Sequence, residues 1–600
     1  MTSNIPDEEL ALKVKEWMEW DQNCTTKAEI QQLVDQKKYE YLKQVLCQRM
    51  SFGTAGLRGK MCAGYARMND LVIVQTAQGL LKHLENQYSE ALNKNGLVLG
   101  YDARHNSERF AQLTAQVFLS QGYKVRLFSK TVPTPFVPFA VWKYKTAAGV
   151  MVTASHNPKD DNGYKVYGSN GCQIIPPDDK NIQKEILNNL KPWDKSWDLS
   201  LLKSPNLIDP LAETSKDYYK ILSDSILPEY KSNSGNLKIA YSAMHGVGYP
   251  YILDAMKIAG IDVVPVKEQV MPDPDFPTVT YPNPEEGNSM EYSIKTADAE
   301  GCDLILANDP DADRLAIAVR IDSGEWRKLT GNEIGVLLGW WLLSNFEKRF
   351  PDVNLDNVYM LASTVSSKFL RGMAEKKGFH FIETLTGFKW MGNEAFDLIH
   401  NEGKKVVFAY EEAIGYMCGD GVLDKDGVSA ALHFATMAME LHRNGLRVDQ
   451  QLNELFTEYG YHITNNSYYF CHDPPTITKI FERLRNFNGP QSYPNSIMNG
   501  VCNVTSVRDL TVGYDNSQPN NKPILPVSKG SQMITFEFDN GLICTLRTSG
   551  TEPKIKYYTE LCDSSKDASY LKVGENLKML VDGLTTELLE PKKNNLAPSE

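Results

Sequence analysis

The feature that most constrains this fold is a strand–helix–strand–helix–strand rhythm that runs through the chain three times. It begins near residue 97, returns at 237 and returns again at 357. In each unit, apolar and β-branched runs such as GLVLGYD, LKIAYS and NVYMLAS alternate with amphipathic segments of helical length. A helix that connects two strands of one sheet lets them run parallel. The pattern therefore predicts three α/β units of similar topology, with mainly parallel sheets, although they share no obvious sequence identity.

Each unit ends its third strand at an unusual polar loop. The loops read TASHNP (153–158), NDPDADR (308–314) and YEEAIG (410–415). Ligands of open α/β sheets bind beyond the carboxyl ends of the strands. We therefore expect the three loops to meet at one cleft.

The two ends of the chain differ from these units. Near the C-terminus, ITFEF and LICTL flank Asp539-Asn540-Gly541, and Asn-Gly suits the type I′ turn of a hairpin. We therefore predict a smaller α+β domain there, followed by a disordered tail, PKKNNLAPSE. Residues 1–50 are predicted to be a helical addition, and KSNSGN (231–236) a linker. At roughly 150 residues per domain, we place four domains at 1–230, 231–328, 329–457 and 458–600.

The composition excludes several classes of protein. The net charge of −12 disfavours nucleic acid and anionic membranes as partners, but it permits a small anionic ligand in a local basic cleft. The ten cysteines lack metal-like spacing, which predicts reduced thiols. The N-terminus is too charged for a signal peptide, and Ile334–Leu343 is about half a membrane span. We expect a buried helix at that stretch, and a cytoplasmic protein that is a monomer or weak dimer.

Three aspartates in the second polar loop predict a metal site. Alternate residues of an extended segment point the same way, so Asp309, Asp311 and Asp313 would repel one another unless a cation lay among them. Carboxylate oxygens suit a hard divalent ion, and Mg²⁺ is favoured because three carboxylates leave positions open. An EF-hand fits poorly because Arg314 occupies its glycine position. A solvated acidic turn is the alternative, and the flanking apolar strands disfavour it.

The first polar loop offers a nucleophile. A serine hydroxyl is weak unless a base or a metal activates it, and Ser155 has His156 beside it and Lys165 ten residues on. The ordinary alternative for a loop serine is a capping or turn role. Its six-residue context favours the catalytic interpretation.

Three further loops have the residue types that bind phosphate. RTSGTEP combines an arginine, which grips phosphate through two hydrogen bonds, with hydroxyls and glycine-loosened amides: Arg547, Ser549, Gly550 and Thr551. The second loop is SFGTAGLRG (51–59), in which small residues precede Arg58. The third is TLTGFKW (384–390), which contains Lys389. Together with the metal site and the nucleophile, these loops indicate phosphoryl transfer on a small anionic substrate.

At this point the sequence resembles the α-D-phosphohexomutase superfamily over roughly residues 45–590. TASHNP is similar to the family's phosphoserine loop, DPDADR to its metal loop, YEEAIG to its sugar-binding loop and RTSGTEP to its phosphate-binding loop. All four stand in the family's order. SFGTAGLRG, DNGYKVY and TLTGFKWMG resemble the eukaryotic phosphopentomutase/phosphoglucomutase-2 branch and its glucose-1,6-bisphosphate synthase relative.

The resemblance implies a fold and a mechanism. The fold would have four domains around a central cleft, the first three sharing a mixed, mostly parallel α/β sandwich topology and the last being smaller and α+β. Ser155 would carry a phosphoryl group, and Mg²⁺ would be held by Asp309, Asp311, Asp313 and a phosphoserine oxygen. A sugar 1,6-bisphosphate, or 1,5-bisphosphate, would act as activator.

The resemblance also implies an activity: isomerisation of sugar phosphates in carbohydrate metabolism. Ribose or deoxyribose 1-phosphate would be interconverted with the 5-phosphate, or glucose 1-phosphate with the 6-phosphate. His156, Lys165 and Arg58 are candidates for proton transfer and charge stabilisation, without a ranking. The residues that would bind the sugar phosphate are Arg314, Lys389, Glu411, Arg547, Ser549, Gly550 and Thr551.

Two departures from the family pattern bear on specificity and geometry. Ala413 stands where glucose-specific members carry a serine, while Glu411 remains, which fits a pentose or mixed substrate. Pro310 and Ala312 replace glycines often found in the metal loop, which predicts that this loop has no positive φ.

Other functions stay open at this stage. A glucose-1,6-bisphosphate synthase that uses 1,3-bisphosphoglycerate would share every loop quoted. An aspartyl-phosphate phosphatase with Asp309 as nucleophile would leave TASHNP and RTSGTEP unexplained. A non-catalytic sugar-phosphate sensor would not need Ser155 and the aspartates together.

Overall fold

A computed structural model of the chain describes residues 5–231, 237–549 and 553–598. The predicted linker falls almost wholly outside these ranges, as do Gly550 and Thr551.

The N-terminal part of the chain contains the helical addition and the first α/β domain. Its helices are α1 (Glu8–Trp20), α2 (Cys24–Asp35), α3 (Tyr39–Leu42), α4 (Asp70–Gln87), α5 (Ser89–Asn95), α6 (Ser107–Ser120), α7 (Phe136–Tyr144), α8 (Asp178–Asn188) and α9 (Leu211–Ser225). Its strands are β1 (Leu57–Lys60), β2 (Leu97–Tyr101), β3 (Val125–Leu127), β4 (Ala148–Val152), β5 (Asp161–Gly168) and β6 (Leu207–Ile208).

The next two segments repeat the alternation of helices and strands. Residues 237–353 form β7 (Ile239–Ser242), α10 (Gly248–Lys257), β8 (Val263–Pro265), α11 (Glu291–Glu300), β9 (Leu304–Ala307), β10 (Ala316–Arg320), β11 (Trp326–Lys328) and α12 (Gly331–Arg349). Residues 354–459 form β12 (Val358–Ser363), α13 (Phe369–Lys377), β13 (His380–Thr384), α14 (Phe388–Phe396), β14 (Lys405–Glu411), β15 (Gly415–Cys418), α15 (Gly427–Arg443) and α16 (Val448–Tyr459).

The C-terminal part is richer in strands. It forms β16 (Tyr461–Phe470), α17 (Pro474–Arg485), β17 (Ser496–Ile497), β18 (Cys502–Asp509), β19 (Tyr514–Asp515), β20 (Met533–Phe538), β21 (Leu542–Thr548), β22 (Lys554–Asp563), α18 (Tyr570–Leu589) and β23 (Ala597–Pro598). Its strands pair antiparallel, and α18 packs against β16 and β22. The predicted hairpin is present as β20–β21.

The first two sheets share one topology. In the first, the order is β1-β5-β4-β2-β3-β6, and in the second it is β11-β10-β9-β7-β8. In both, three parallel strands are followed by an antiparallel strand next to the third, which explains why the chain must turn back at the polar loop. In the third segment β12 and β13 pair parallel, and β14 and β15 pair antiparallel across the loop after β14. The predicted α/β class, with a smaller α+β domain at the C-terminus, is confirmed.

The contacts divide the chain into two units. The first comprises Met1–Val353 and Gly387–Arg447, and the second comprises Asn354–Thr386 and Val448–Glu600. This division does not test the predicted domain limits at residues 230, 328 and 457, which stay predictions.

The helical addition has its own small core. Leu10, Val14, Trp17 and Ile30 are buried against Tyr65, whose ring centroid lies 5.2 Å from that of Trp17. Apolar packing of this kind, rather than helix propensity, stabilises short helices.

Two predictions about apolar and terminal segments have clear outcomes. Ile334–Leu343 lies in α12 and is mostly buried, as predicted, and none of the described helices is long and apolar enough to cross a membrane. The prediction of a disordered C-terminal tail is wrong for part of it. Ala597 and Pro598 pair with the edge strand β16, whose free backbone groups accept a further strand.

Candidate active site

The nucleophile predicted from the first polar loop lies just beyond the end of β4. Ser155 is buried, and its backbone has a φ of 53°, in the left-handed region, which costs a non-glycine residue roughly 1–2 kcal/mol. A 2.8 Å hydrogen bond from its amide to Thr153 Oγ1 helps to hold this turn. The turn directs Ser155 Oγ towards the metal loop, where it donates a 2.8 Å hydrogen bond to Asp309 Oδ2.

The strained loop is held from outside by an arginine that the sequence analysis missed. The Arg104 guanidinium donates hydrogen bonds to the carbonyl oxygens of Ser155 (2.5 Å), Asn157 (2.6 Å) and Pro158 (2.8 Å). Asp102 accepts a 3.0 Å hydrogen bond from the Arg104 amide and lies 3.4 Å from its Nε. One arginine thus holds three backbone carbonyl groups of the loop that contains the nucleophile.

A sequence signal for Arg104 did exist. It follows β2 within the stretch YDARHNS, where an apolar strand gives way to charged residues. Because β2 lies beside β4 and runs parallel to it, the residues that follow β2 reach the loop that follows β4.

The three aspartates of the metal loop form a buried cluster. Each offers an oxygen within 4.8 Å of the others, and all three side chains are fully buried. Asp311 Oδ1 and Asp313 Oδ1 have no hydrogen-bond partner among the described residues. Buried carboxylate oxygens without donors are costly, and they are the ligands that Mg²⁺ takes. The donor set therefore fits the predicted ion.

The prediction about the backbone of this loop is wrong. Ala312 has a φ of 52° although it is not glycine. Its amide donates a 2.8 Å hydrogen bond to the Asp309 carbonyl, and its own carbonyl accepts one from the Gly427 amide. These contacts with buried backbone outweigh the local preference of alanine for negative φ.

Two lysines offset the charge of the cluster. Lys165 Nζ lies 2.7 Å from Asp311 Oδ2 and 3.0 Å from Asp313 Oδ2, and Lys425 Nζ lies 2.8 Å from Asp313 Oδ2. Burial and the charge of Asp311 raise the pKa of Asp309 well above its ordinary value. Burial also opposes ionisation of Asp311, but the Lys165 ammonium outweighs it and holds the pKa of Asp311 well below the ordinary value.

Lys425 is the second residue that the sequence analysis missed. It stands in Asp424-Lys425-Asp426, immediately before α15, and nothing in its spacing relates it to residue 313. Burial lowers its pKa, yet the charge of Asp313 prevails and raises it above the ordinary value, so Lys425 stays protonated.

The other predicted catalytic side chains lie around Ser155. His156 Nδ1 is 3.3 Å from Ser155 Oγ, and burial together with the charges of Arg314 and Arg58 lowers the pKa of His156 well below its ordinary value. His156 is therefore a neutral imidazole at pH 7. Arg58 is exposed to solvent, and its Nη1 donates a 3.2 Å hydrogen bond to Asn157 Oδ1.

The predicted sugar loop meets the metal loop. Arg314 Nη1 donates a 3.1 Å hydrogen bond to the Ala413 carbonyl, and the Leu315 amide donates one to the Ile414 carbonyl. Glu411 Oε1 accepts a hydrogen bond from the Gly387 amide. Burial, followed by the charge of Glu412, raises the pKa of Glu411 to about 7.

Lys389 connects this region to the N-terminal loop. Its Nζ donates a hydrogen bond to Thr54 Oγ1, in SFGTAGLRG, and burial lowers its pKa. The predicted convergence of TASHNP, NDPDADR and YEEAIG is confirmed by two contacts, Ser155 with Asp309 and Arg314 with Ala413.

The predicted phosphate-binding loop belongs to the second unit. Arg547 Nη1 donates a 3.0 Å hydrogen bond to Thr386 Oγ1, and Nη2 donates one of 3.0 Å to the Tyr558 hydroxyl. The Ser549 amide donates to the Lys554 carbonyl, closing the base of the loop. Because Gly550 and Thr551 lie outside the described residues, the anion nest at this loop stays a prediction.

Three family models match the chain in order. They describe the α/β/α domains I, II and III of phosphoglucomutase/phosphomannomutase and match residues 49–192, 216–321 and 330–459. The chain is 50% identical to the phosphopentomutase of Homo sapiens, over 99% of this chain and 98% of that one. It is 48% identical to the glucose 1,6-bisphosphate synthase of the same organism, over 98% and 96%.

A solved structure supports the fold. The phosphoglucomutase known as parafusin, from Paramecium, superposes with a TM-score of 0.67 over 91% of this chain and 96% of its own, at 18% identity. With three domain models covering more than half of its length and a near-full-length relative at 50% identity, the chain belongs to the phosphoglucomutase/phosphomannomutase family, within the α-D-phosphohexomutase superfamily.

Proposed function

We propose that this chain is a phosphomutase that interconverts ribose or deoxyribose 1-phosphate with the 5-phosphate, and glucose 1-phosphate with the 6-phosphate, through a phosphorylated Ser155. The observation that carries the proposal is the 2.8 Å contact between Ser155 Oγ and Asp309 Oδ2, which joins a nucleophile to a metal-type carboxylate cluster. The identity to phosphopentomutase over nearly the whole chain supports the choice of sugar phosphates as substrates.

The proposed cycle begins with a phosphoryl group on Ser155 Oγ. The bond between phosphorus and Oγ breaks as a bond forms to the free hydroxyl of a sugar monophosphate, and the hydroxyl proton passes to a base. The resulting sugar bisphosphate turns over and returns its other phosphate to Ser155. Such transfer depends mainly on positioning and electrostatics.

The residues around Ser155 fit distinct parts of this cycle. His156 is neutral at pH 7 and is able to accept the hydroxyl proton; Lys165 is the alternative acid or base. Arg58 lies at the exposed side of the loop, where it would stabilise the charge of the transferring group. Arg104 would keep the backbone of Ser155 in place during both transfers.

A Mg²⁺ ion bound by Asp309, Asp311 and Asp313, together with a phosphoserine oxygen, would offset the charge of the phosphoryl group, about −1.5 to −2 at pH 7. Positively charged side chains would bind the phosphate groups of the substrate. Arg314, Lys389 and Arg547, with Glu411 for the sugar hydroxyls, would bind the substrate, and Ser549, Gly550 and Thr551 would complete the grip on the non-reacting phosphate. A sugar 1,6- or 1,5-bisphosphate would keep Ser155 phosphorylated.

Glucose-1,6-bisphosphate synthesis is the second candidate function. It is favoured by one observation, the 48% identity to a glucose 1,6-bisphosphate synthase over 98% of the chain. Ser155 would then be rephosphorylated by 1,3-bisphosphoglycerate.

A parallel assay separates the two candidates. Purified protein is supplied with ribose 1-phosphate or glucose 1-phosphate plus a trace of sugar bisphosphate, and separately with glucose 1-phosphate plus 1,3-bisphosphoglycerate. The proposal predicts faster turnover in the isomerase assays. Net accumulation of sugar bisphosphate at a higher rate than isomerisation would favour the synthase.

A further inference from the structure

The second unit contains a cluster of reactive side chains that the phosphoryl-transfer chemistry does not use. It consists of Cys562, His462 and Glu560, and we refer to it as the thiol triad. The Cys562 Sγ lies 3.4 Å from His462 Nε2, and His462 Nδ1 lies 3.2 Å from Glu560 Oε1. The order thiol, imidazole, carboxylate is the order in which a nucleophilic cysteine is activated.

Sheet register explains how these residues meet. In the antiparallel pair β16–β22, His462 stands directly opposite Cys562, and Glu560 lies two residues before Cys562 on the same strand. Residues two apart on a strand point to the same face, and directly opposed residues have their Cβ atoms about 4.5–5.5 Å apart. The register therefore places all three side chains on one face of the sheet.

The carboxylate end of the triad is firmly held. Both oxygens of Glu560 accept hydrogen bonds from the Lys368 amide at the start of α13, at 2.9 and 3.2 Å, and the Phe369 ring packs edge-on against the imidazole with centroids 5.6 Å apart. Burial lowers the pKa of His462, but Glu560 outweighs it and raises this pKa to about 10. The imidazole is therefore a cation at neutral pH.

Other charged groups near the triad come from α13. Arg371 interacts with Glu560 but pairs more closely with Glu383, at 2.7 Å. The Lys368 ammonium likewise pairs with Glu383, at 2.8 Å. Since both cations are engaged by Glu383, His462 is the cation that contacts the thiol.

The thiol end of the triad is open to small reagents. Cys562 is only half-buried. Gly460 borders it: a Cβ there would lie 3.5 Å from Cys562 Sγ and 2.6 Å from Ser564 Oγ, which is the nearest atom. The exposed part of Cys562, rather than a space at the glycine, is where a small reagent would reach the sulfur.

We propose that Cys562 is a reactive thiol, supported by His462 and Glu560, that is modified by small disulfides through thiol–disulfide exchange. The thiol proton leaves to solvent, and the thiolate is stabilised by the neighbouring imidazolium. The Cys562 sulfur attacks one sulfur of the disulfide, so a new S–S bond forms while the old one breaks. The electron pair leaves with the second thiolate, which takes a proton from water; the Cys562 sulfur is oxidised and the leaving sulfur is reduced.

The test compares two cysteines within the full-length chain. Iodoacetamide labelling at pH 6.5 and 8.5, mapped by mass spectrometry, measures Cys562 against Cys24, which is exposed and serves as an internal control. A thiol with an ordinary pKa near 8.5 slows about fifty-fold between these pH values. We expect the labelling of Cys562 to slow several-fold less than that of Cys24 between these pH values, and glutathione disulfide to add preferentially to Cys562 at pH 6.5.

Variants assign the effect to the triad. His462→Gln should slow the labelling of Cys562 at pH 6.5 by at least about tenfold and leave Cys24 unchanged, and Cys562→Ser should abolish the glutathione adduct. If His462→Gln does not fold, the comparison within the unaltered chain decides the matter alone. A Cys562 that slows as steeply as Cys24, or does not react in the folded chain, would overturn the proposal.

Discussion

Ser155 and Asp309 lie 154 positions apart in the sequence, yet their side chains meet in a 2.8 Å hydrogen bond. Each follows the third parallel strand of its own sheet, β4 for Ser155 and β9 for Asp309. The contact exists because the first two sheets share one topology, and the carboxyl ends of their parallel strands face each other. It brings the proposed phosphoryl carrier to the proposed metal ligands.

Arg104 is the first residue to test, because it holds the loop without taking part in the chemistry. Arg104→Lys keeps the charge but cannot reach three carbonyl oxygens with one planar fork. We expect kcat to fall by about ten- to a hundredfold, as for other misplaced catalytic groups, while KM for the sugar phosphate stays within about twofold. Steady-state kinetics and thermal melting of the variant measure both.

The control for Arg104 is Arg126→Lys. Arg126 lies on β3 of the same sheet and donates to the Asn95 carbonyl, away from the nucleophile loop. It should leave kcat unchanged. An Arg104→Lys enzyme with normal kcat, or a loss of kcat that merely follows the fraction of unfolded protein, would contradict the positioning role.

The metal cluster is tested by Asp311→Asn, which keeps the shape of the side chain and removes one of three buried charges. We expect turnover to fall by at least about a hundredfold with the fold intact, and thermal stability to fall as well, because the buried Lys165 ammonium loses its 2.7 Å partner. EDTA should inactivate the unaltered enzyme, and Mg²⁺ should restore it. Asp322→Asn, at an exposed aspartate that pairs with Arg447, is the matched control; full activity after exhaustive chelation would show that the aspartates are structural.

The thiol triad also predicts how stability depends on pH. His462 has a folded-state pKa of about 10, above its ordinary 6.5, so its pairing with Glu560 stabilises the fold fully below pH 6.5 and is lost as pH rises towards 10. The melting temperature of the unaltered chain should therefore fall more steeply between pH 6.5 and 10 than that of His462→Gln. Parallel slopes for the two proteins would show that His462 is not held as a cation.

Ala413 tests what sets the sugar preference. The family resemblance implies a serine hydroxyl there in glucose-specific members, and a pentose has fewer hydroxyls to satisfy, so we expect a higher kcat/KM for ribose 1-phosphate than for glucose 1-phosphate. Ala413→Ser should shift the ratio towards glucose by up to about tenfold, the value of one hydrogen bond near 1.4 kcal/mol. The prediction is contradicted if the unaltered enzyme already prefers glucose 1-phosphate and Ala413→Ser does not change the ratio of kcat/KM values. Residues other than Ala413 would then determine the sugar preference.

The parts of the structure that were predictable follow from local patterns. Alternating apolar strands and amphipathic helices identified the α/β units, and polar residues after the third strands identified Ser155 and the three aspartates. Arg104 and Lys425 were missed because their roles depend on which strand ends and loops meet in space. The positive φ of Ala312 and the thiol triad depend on tertiary contacts and strand register, which no local pattern in a single sequence displays.

The most direct test of the account is the fate of a phosphoryl group on Ser155. Enzyme labelled there by a radioactive sugar bisphosphate is mixed with ribose 5-phosphate in a rapid-quench instrument. The account predicts that the label passes to the sugar with a rate constant at least equal to kcat, and that Ser155→Ala neither takes up label nor turns over substrate. Transfer slower than kcat, or an active Ser155→Ala enzyme, would contradict it.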